Sequence, residues 1–327
     1  MFSKHLQQHI IKSKATFPVT VVLALLIWTV GVQWPLDSDT HIASWWWEGI
    51  YCPVWTIELT NLICCGYTVF LLANLNEIYS LSGHRSTLHS SIFLLLWATS
   101  SLFNRTFEEN LTPCFLLMEV SCLFRCHQES MPIGQTLTLF LLVSLNSLFC
   151  PVVLWYVPFF YIALFFFKGM TPRTFFAGVI GVVLPYWFLF VYFFCTDKIS
   201  IFHNFWDSFP KLEYIDISKY PIRMWYILEY ALLLLVSGCV YMELNRYQDK
   251  IRTRLFLHTF LWMSFYSLFL IAFQPESFQI TIIPVLFGAS LLGGHMFALS
   301  STKFSNLSFI AAILSLLLII THSVWKQ

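Results

Sequence analysis

Two carboxylates two residues apart, Asp37 and Asp39, precede three consecutive tryptophans, Trp45, Trp46 and Trp47, in the stretch VQWPLDSDTHIASWWWEGIYC. Farther along, Arg105, Glu108 and Glu109 stand together in NRTFEEN, and Arg223 opens an apolar run. A carboxylate takes a proton from an acceptor hydroxyl, and a guanidinium spreads its donors over a departing phosphate. Acids beside arginines at a lipid–water boundary are therefore what transfer from a lipid-linked phosphate donor requires. The carboxylate part falls to Asp37, Asp39, Glu108 and Glu109, and the phosphate contacts to Arg105 and Arg223. Asp-x-Asp also supplies oxygen ligands for a divalent cation, the one cofactor this pattern suggests, although two carboxylates make a weak site. The indoles suit headgroup depth, as an anchor or as a stacking platform for a sugar or prenyl chain.

Three further acids, Glu58, Glu119 and Glu229, fall inside apolar runs. An ionisable side chain at the bilayer centre costs at least about 2.5 kcal/mol, so each must face protein, water or a partner. Glu119, midway along LTPCFLLMEVSCLFR, is the most expensive; Glu58 and Glu229 lie within a turn or two of a helix end. As a set these buried polar groups line a polar cavity or act as struts between helices.

The elements that must position these residues are helices in lipid. Of 327 residues, 58% are hydrophobic and 11% charged, against about 25% charged in a soluble domain. In hydrocarbon every backbone polar group must be satisfied internally, by helices or by a closed barrel. Long unalternated runs such as Ile310–Ile320 exclude barrel strands, which alternate over about 10 residues. Apolar runs at about 17–34, 54–75, 89–103, 111–125, 135–150, 151–167, 174–196, 223–244, 255–273, 278–299 and 306–324 predict an all-α, polytopic transmembrane bundle of about 11 helices. It forms a single integral membrane domain over residues 1–327, with no soluble domain or linker. The first run has no small-residue cleavage site after it and is expected to remain as a helix. Twelve of the 18 Lys and Arg fall on one side if the N-terminus is cytoplasmic and the C-terminus outside, and the cluster NRYQDKIRTR fixes the second half the same way. In that orientation Asp37, Asp39, Glu108 and Glu109 lie outside, where acids also collect simply because Lys and Arg are kept inside.

A net charge of +1 and the lack of a basic stripe exclude nucleic acid as a partner. The nine cysteines show no paired metal spacing and read as small packing residues in lipid. His41, His203, His258 and His295 stand apart, so no metal centre is expected. Phosphate-loop, nucleophile-elbow and inverted broken-helix patterns are missing.

Two likenesses follow from these residues. LLANLNEIYSL, and the later run from SLNSLFCPVV to VVLPYWFLFVYFFCTDK, resemble an uncharacterised family of polytopic inner-membrane proteins from Bacteroidota. Its members share an asparagine-containing helix and a Gly-x-x-x-Pro-Tyr helix ending in Thr-Asp, here Asn74, Gly181, Pro185, Tyr186, Thr196 and Asp197. That family brings no established activity. The first seven helices, about 17–196, with an acid in the first external loop and another just before the fourth helix, are similar in plan to the GT-C superfamily of glycosyltransferases; the helices at about 223–324 are additional. That resemblance implies a polyprenyl-phosphate-linked sugar donor, Asp37 or Asp39 as catalytic base and Glu108 or Glu109 as supporting acid. The first external loop, about 20 residues, is shorter than the superfamily usually has, and there is no large periplasmic domain. The expectations are thus a GT-C-like glycosyltransferase of the bacterial inner membrane, a non-enzymatic subunit of an envelope assembly or secretion complex, or a transporter. Its surroundings are membrane lipids, polyprenyl-phosphate sugar and other envelope proteins.

Overall fold

The computed structural model describes residues 15–31, 39–44, 47–79, 87–99, 107–127, 131–201, 222–245, 250–274, 277–300 and 302–325, with Gln7, Ile10, Ser13, Glu129 and Phe205 besides. At 30–31, 39–44, 47–52, 107–109, 222–223, 303–304 and 322–325 the backbone alone is described. Among the described residues eleven α-helices appear, as expected: α1 (Thr16–Gly31), α2 (Val54–Tyr79), α3 (Leu88–Thr99), α4 (Phe107–Arg125), α5 (Ile133–Phe149), α6 (Tyr156–Phe166), α7 (Pro172–Cys195), α8 (Ile222–Leu244), α9 (Ile251–Phe273), α10 (Phe278–Leu299) and α11 (Lys303–Trp325). Among the described residues five stretches, Val54–Tyr79, Pro172–Cys195, Met224–Leu244, Ile251–Phe273 and Phe278–Leu299, are long and apolar enough to cross a membrane. The chain is a multi-pass integral membrane protein.

One element was not expected. Between α1 and α2 the chain forms an antiparallel hairpin, β1 (Asp39–Ser44) and β2 (Trp47–Pro53), with Asp39 opposite Pro53, Ile42 opposite Ile50, and an irregularity between Ile42 and Ser44. β2 runs straight into α2, so the hairpin is seated on a helix end.

Helix ends are set by local chemistry. Thr171 caps α7: its hydroxyl accepts from the Thr174 amide at 3.2 Å, and the Thr174 hydroxyl accepts from the Thr171 amide at 2.7 Å, with Pro172 in the first turn. α6 and α7 both finish with a left-handed residue, Lys168 at φ 58° and Asp197 at φ 55°. In each the next amide turns back to the helix, Gly169 to the Leu164 carbonyl and Lys198 to the Phe193 carbonyl, both at 3.0 Å.

The core is built around α10, of whose 22 residues all but four are buried. Small residues let neighbours reach its backbone or be reached by it, the usual means of packing helices in lipid. A Cβ on Gly238 of α8 would stand 2.6 Å from the Leu292 carbonyl carbon, and one on Gly294 would stand 2.8 Å from the Cβ of His89 in α3. Phe93 of α3 stacks on Phe287 of α10 at 4.8 Å between centroids. α7, by contrast, turns Phe176, Ile180, Val183, Trp187, Phe188, Val191, Tyr192 and Phe194 outward.

α5 and α7 run parallel. The Ser144 hydroxyl donates to the Val182 carbonyl at 2.7 Å, and Ser147 shares a hydrogen bond with Tyr186 at 2.7 Å. Gly181 allows this approach, since a Cβ there would lie 2.8 Å from the Leu137 carbonyl oxygen. Pro185 cannot donate to the helix, and the α5 hydroxyls supply polar partners on both sides of it.

Candidate functional site

The helices alternate in direction, and their contacts define two ends. At one, Gln7 donates to the carbonyls of Phe297 and Ser300, Tyr79 meets Phe124 and Phe256 edge-on, and His258 pairs with Glu243 at 3.1 Å. Arg125, Lys168, Arg173, Lys250, Arg252 and Arg254 lie at this cationic end. At the other, the Trp28 indole donates to Glu58 at 3.3 Å, Trp225 lies against Phe278, and the Thr112 hydroxyl donates to the Cys150 sulfur at 3.3 Å. The hairpin belongs to this second end, beside the start of α2.

The proposed reaction residues fall as follows. Asp39 and Trp47 begin β1 and β2, Glu108 and Glu109 sit in the first turn of α4, and Arg223 in the first turn of α8; their backbones are described and their side chains are not. These positions share the hairpin end. A helix N-terminus favours anions, which suits Glu108 and Glu109 in the first turn of α4. Asp37, Trp45, Trp46 and Arg105 lie outside the described residues. Among the described residues no three His, Cys, Asp or Glu side chains converge to hold a metal ion.

The three acids expected to be buried part company. Glu229 is exposed on α8 and is corrected to a surface group: it points away from the faces of Ile227, Leu228 and Tyr230 that pack into the core. Glu58 is half-buried and held by the Trp28 indole. Glu119 is fully buried. Its Oε1 accepts from the Asn146 amide nitrogen at 3.3 Å, while its Oε2 and the Asn146 Oδ1 face no partner. Beyond them Tyr156 and Ser267 share a hydrogen bond at 2.8 Å, and the Tyr266 hydroxyl donates to the Trp155 carbonyl at 2.5 Å. The three acids do not converge. Glu119 and Asn146 join α4 to α5, so this acid acts as a strut.

The cysteines behave as packing residues: Cys64, Cys65, Cys114, Cys122, Cys126 and Cys150 are buried thiols outside any disulfide, and Cys195 is exposed. Cys114 donates to the Cys64 carbonyl at 3.3 Å.

One cluster was not anticipated from the sequence. Tyr79 from the end of α2, Arg125 from the end of α4, His127 just beyond it and Arg252 from the first turn of α9 meet at the cationic end. The Arg252 guanidinium lies 5.4 Å from the ring centroids of both Tyr79 and Phe256. Beneath it Phe256 stacks on Phe124 at 4.1 Å and on Phe167 at 5.9 Å. In the sequence these cations serve only as markers of orientation, and the pairing of Tyr79 with both arginines spans three separate apolar runs.

Compared with known protein families, curated proteins and solved structures, the chain matches none of them.

Proposed function

We propose that the chain is a GT-C-like glycosyltransferase of the bacterial inner membrane, with its N-terminus in the cytoplasm and its C-terminus outside, drawing a sugar from a polyprenyl-phosphate donor at the outer leaflet. One observation carries this reading: β1 with Asp39, the first turn of α4 with Glu108 and Glu109, and the first turn of α8 with Arg223 share the membrane end opposite the cationic one. The gathering of Lys and Arg at the far end supports the orientation, since cytoplasmic segments hold the excess of cations. In this reading Asp37 or Asp39 deprotonates the acceptor hydroxyl, Glu109 supports it, and Arg105 and Arg223 hold the departing phosphate. The test is transfer from a polyprenyl-phosphate sugar by the purified chain and by its Asp37→Asn and Asp39→Asn variants. Loss of a positioned base lowers the rate about 10²- to 10⁴-fold. Transfer at the wild-type rate by both variants and by the pair combined, or no transfer by the wild type with any polyprenyl-phosphate sugar, rejects the reading.

A second reading, a non-enzymatic membrane subunit of an envelope assembly or secretion complex, is favoured by a different observation. Glu58, Glu119 and Glu229 are scattered, and α7 offers a broad apolar face of aromatic residues. Such a subunit co-purifies with a membrane partner that is lost when Phe176, Val183 and Trp187 are changed to alanine, while the Asp variants keep it.

A further inference from the structure

We propose that Arg125 and Arg252, arranged about Tyr79, form a recognition site for a phosphate group at the cationic end of the bundle, separate from the hairpin end. Three elements bring the groups together. Arg125 ends α4 next to Phe124, whose ring meets that of Tyr79 at the end of α2 at 5.3 Å, and its charge acts on the Tyr79 hydroxyl. Arg252, in the first turn of α9, lies over the Tyr79 ring. Both arginines are exposed, whereas Tyr79 beneath them is 8% exposed. The phenol is thus a buried post with both guanidinium groups near it.

Among the described residues no ion pair ties either arginine to a carboxylate; Glu129, the carboxylate closest in sequence to Arg125, is exposed, and Glu243 is paired with His258. Two guanidinium groups within electrostatic reach of one hydroxyl repel each other, and an anion between them removes that repulsion. Stacking on Tyr79 and Phe256 limits the freedom of Arg252, so its donors are held in one plane before a ligand arrives. Planar, pre-oriented N–H pairs suit the tetrahedral oxygens of a phosphate, which accept two bonds from one guanidinium. His127 adds a ring nitrogen, Nδ1, that has no partner, and it lies within electrostatic range of Arg252. The site sits where the helices end, at the depth of lipid headgroups. A phosphate there comes from an anionic lipid or from a soluble phosphate compound.

The test uses the full chain in phosphatidylcholine nanodiscs, with and without a minor fraction of phosphatidylglycerol, and counts retained anionic lipid by native mass spectrometry. A second arm titrates inorganic phosphate into the same preparation. A basic residue near the headgroups changes affinity about fivefold, so Arg125→Gln and Arg252→Gln each weaken retention about fivefold and the double variant about 30-fold. Arg252→Lys keeps the charge and loses the stacked fork, and falls between wild type and Arg252→Gln. Lys198→Gln, at the opposite end, leaves retention unchanged. Retention that phosphate does not displace assigns the site to lipid; displacement by phosphate assigns it to a soluble phosphate compound; both support the proposal. It is overturned if the wild type retains neither ligand, if the double variant retains lipid as the wild type does, or if Lys198→Gln weakens retention equally. The wild-type titrations stand even where a variant does not fold.

Discussion

Glu119 offers the sharpest test of how this bundle is held together. Its carboxyl is fully buried and receives one hydrogen bond, from Asn146, at 3.3 Å. Glu119→Leu keeps the size of the side chain and removes that bond, leaving the Asn146 carboxamide with neither donor nor acceptor satisfied by its neighbour. A buried polar group stripped of its partner costs about 1–3 kcal/mol, and hydrogen bonds between membrane helices average about 0.6 kcal/mol. The leucine variant is therefore expected to lose about 1–2 kcal/mol. Glu119→Gln behaves differently. Its amide oxygen accepts from the Asn146 nitrogen as the carboxyl does, and its amide nitrogen donates to the Asn146 Oδ1, which has no partner in the native protein. Two bonds replace one, so this variant is expected to match the wild type or to exceed it by up to about 1 kcal/mol. Unfolding in mixed micelles by denaturing detergent, or steric trapping in lipid, measures the difference between them. Equal destabilisation of the Gln and Leu variants refutes the reasoning, because it means that the strut depends on the carboxyl itself and not on its hydrogen-bonding shape.

Gly238→Ala forces α8 away from the Leu292 backbone and is expected to cost about 1–3 kcal/mol, whereas Gly66→Ala, with nothing within 4 Å, leaves stability unchanged or slightly higher in the same unfolding assay. Tyr186→Phe removes one bond to Ser147 at the α5–α7 contact and is expected to cost about 0.6 kcal/mol, with Ser147→Ala adding little to it in a double-mutant cycle. His127 is held below the usual imidazole value by burial and by the charge of Arg252. The unfolded chain therefore takes up its proton first as pH falls below about 6.5. Stability falls from there towards the lower folded value and is unaffected above it; His127→Phe flattens that part of a stability–pH profile, with Arg125, Arg252 and Glu129 the other charged groups around it.

Much of the fold is legible in the residues themselves. Continuous apolar runs mark ten of the helices to within a few residues, and the eleventh, α6, is preceded by a 3₁₀ turn at Pro151–Trp155 where the sequence shows only one unbroken run. The hairpin escaped because its strands are short and their alternation is broken by the irregularity after Ile42. The helix acids look alike along the chain, since hydropathy averages over all faces of a helix. Only the packing shows that Glu119 faces α5 while Glu229 faces outward. Arg125 and Arg252 read as markers of sidedness; their meeting over Tyr79 depends on three helices whose order in space no local pattern encodes.

α3 is 12 residues long, about 18 Å, and nearly all of it is buried, with His89, Ser90 and Ser91 in its first turn. It rests on α10, which begins about 180 residues later in the chain. A helix this short and polar gains little from lipid alone, so during synthesis it waits for its partner, roughly 10–40 s at ordinary elongation rates. In that interval α3 depends on the insertion machinery or on α1 and α2 for shelter. Chains halted before Phe278 are therefore expected to be cleared by membrane proteases, while chains halted after Leu299 persist, which makes the last quarter of the sequence a checkpoint for the biogenesis of the first.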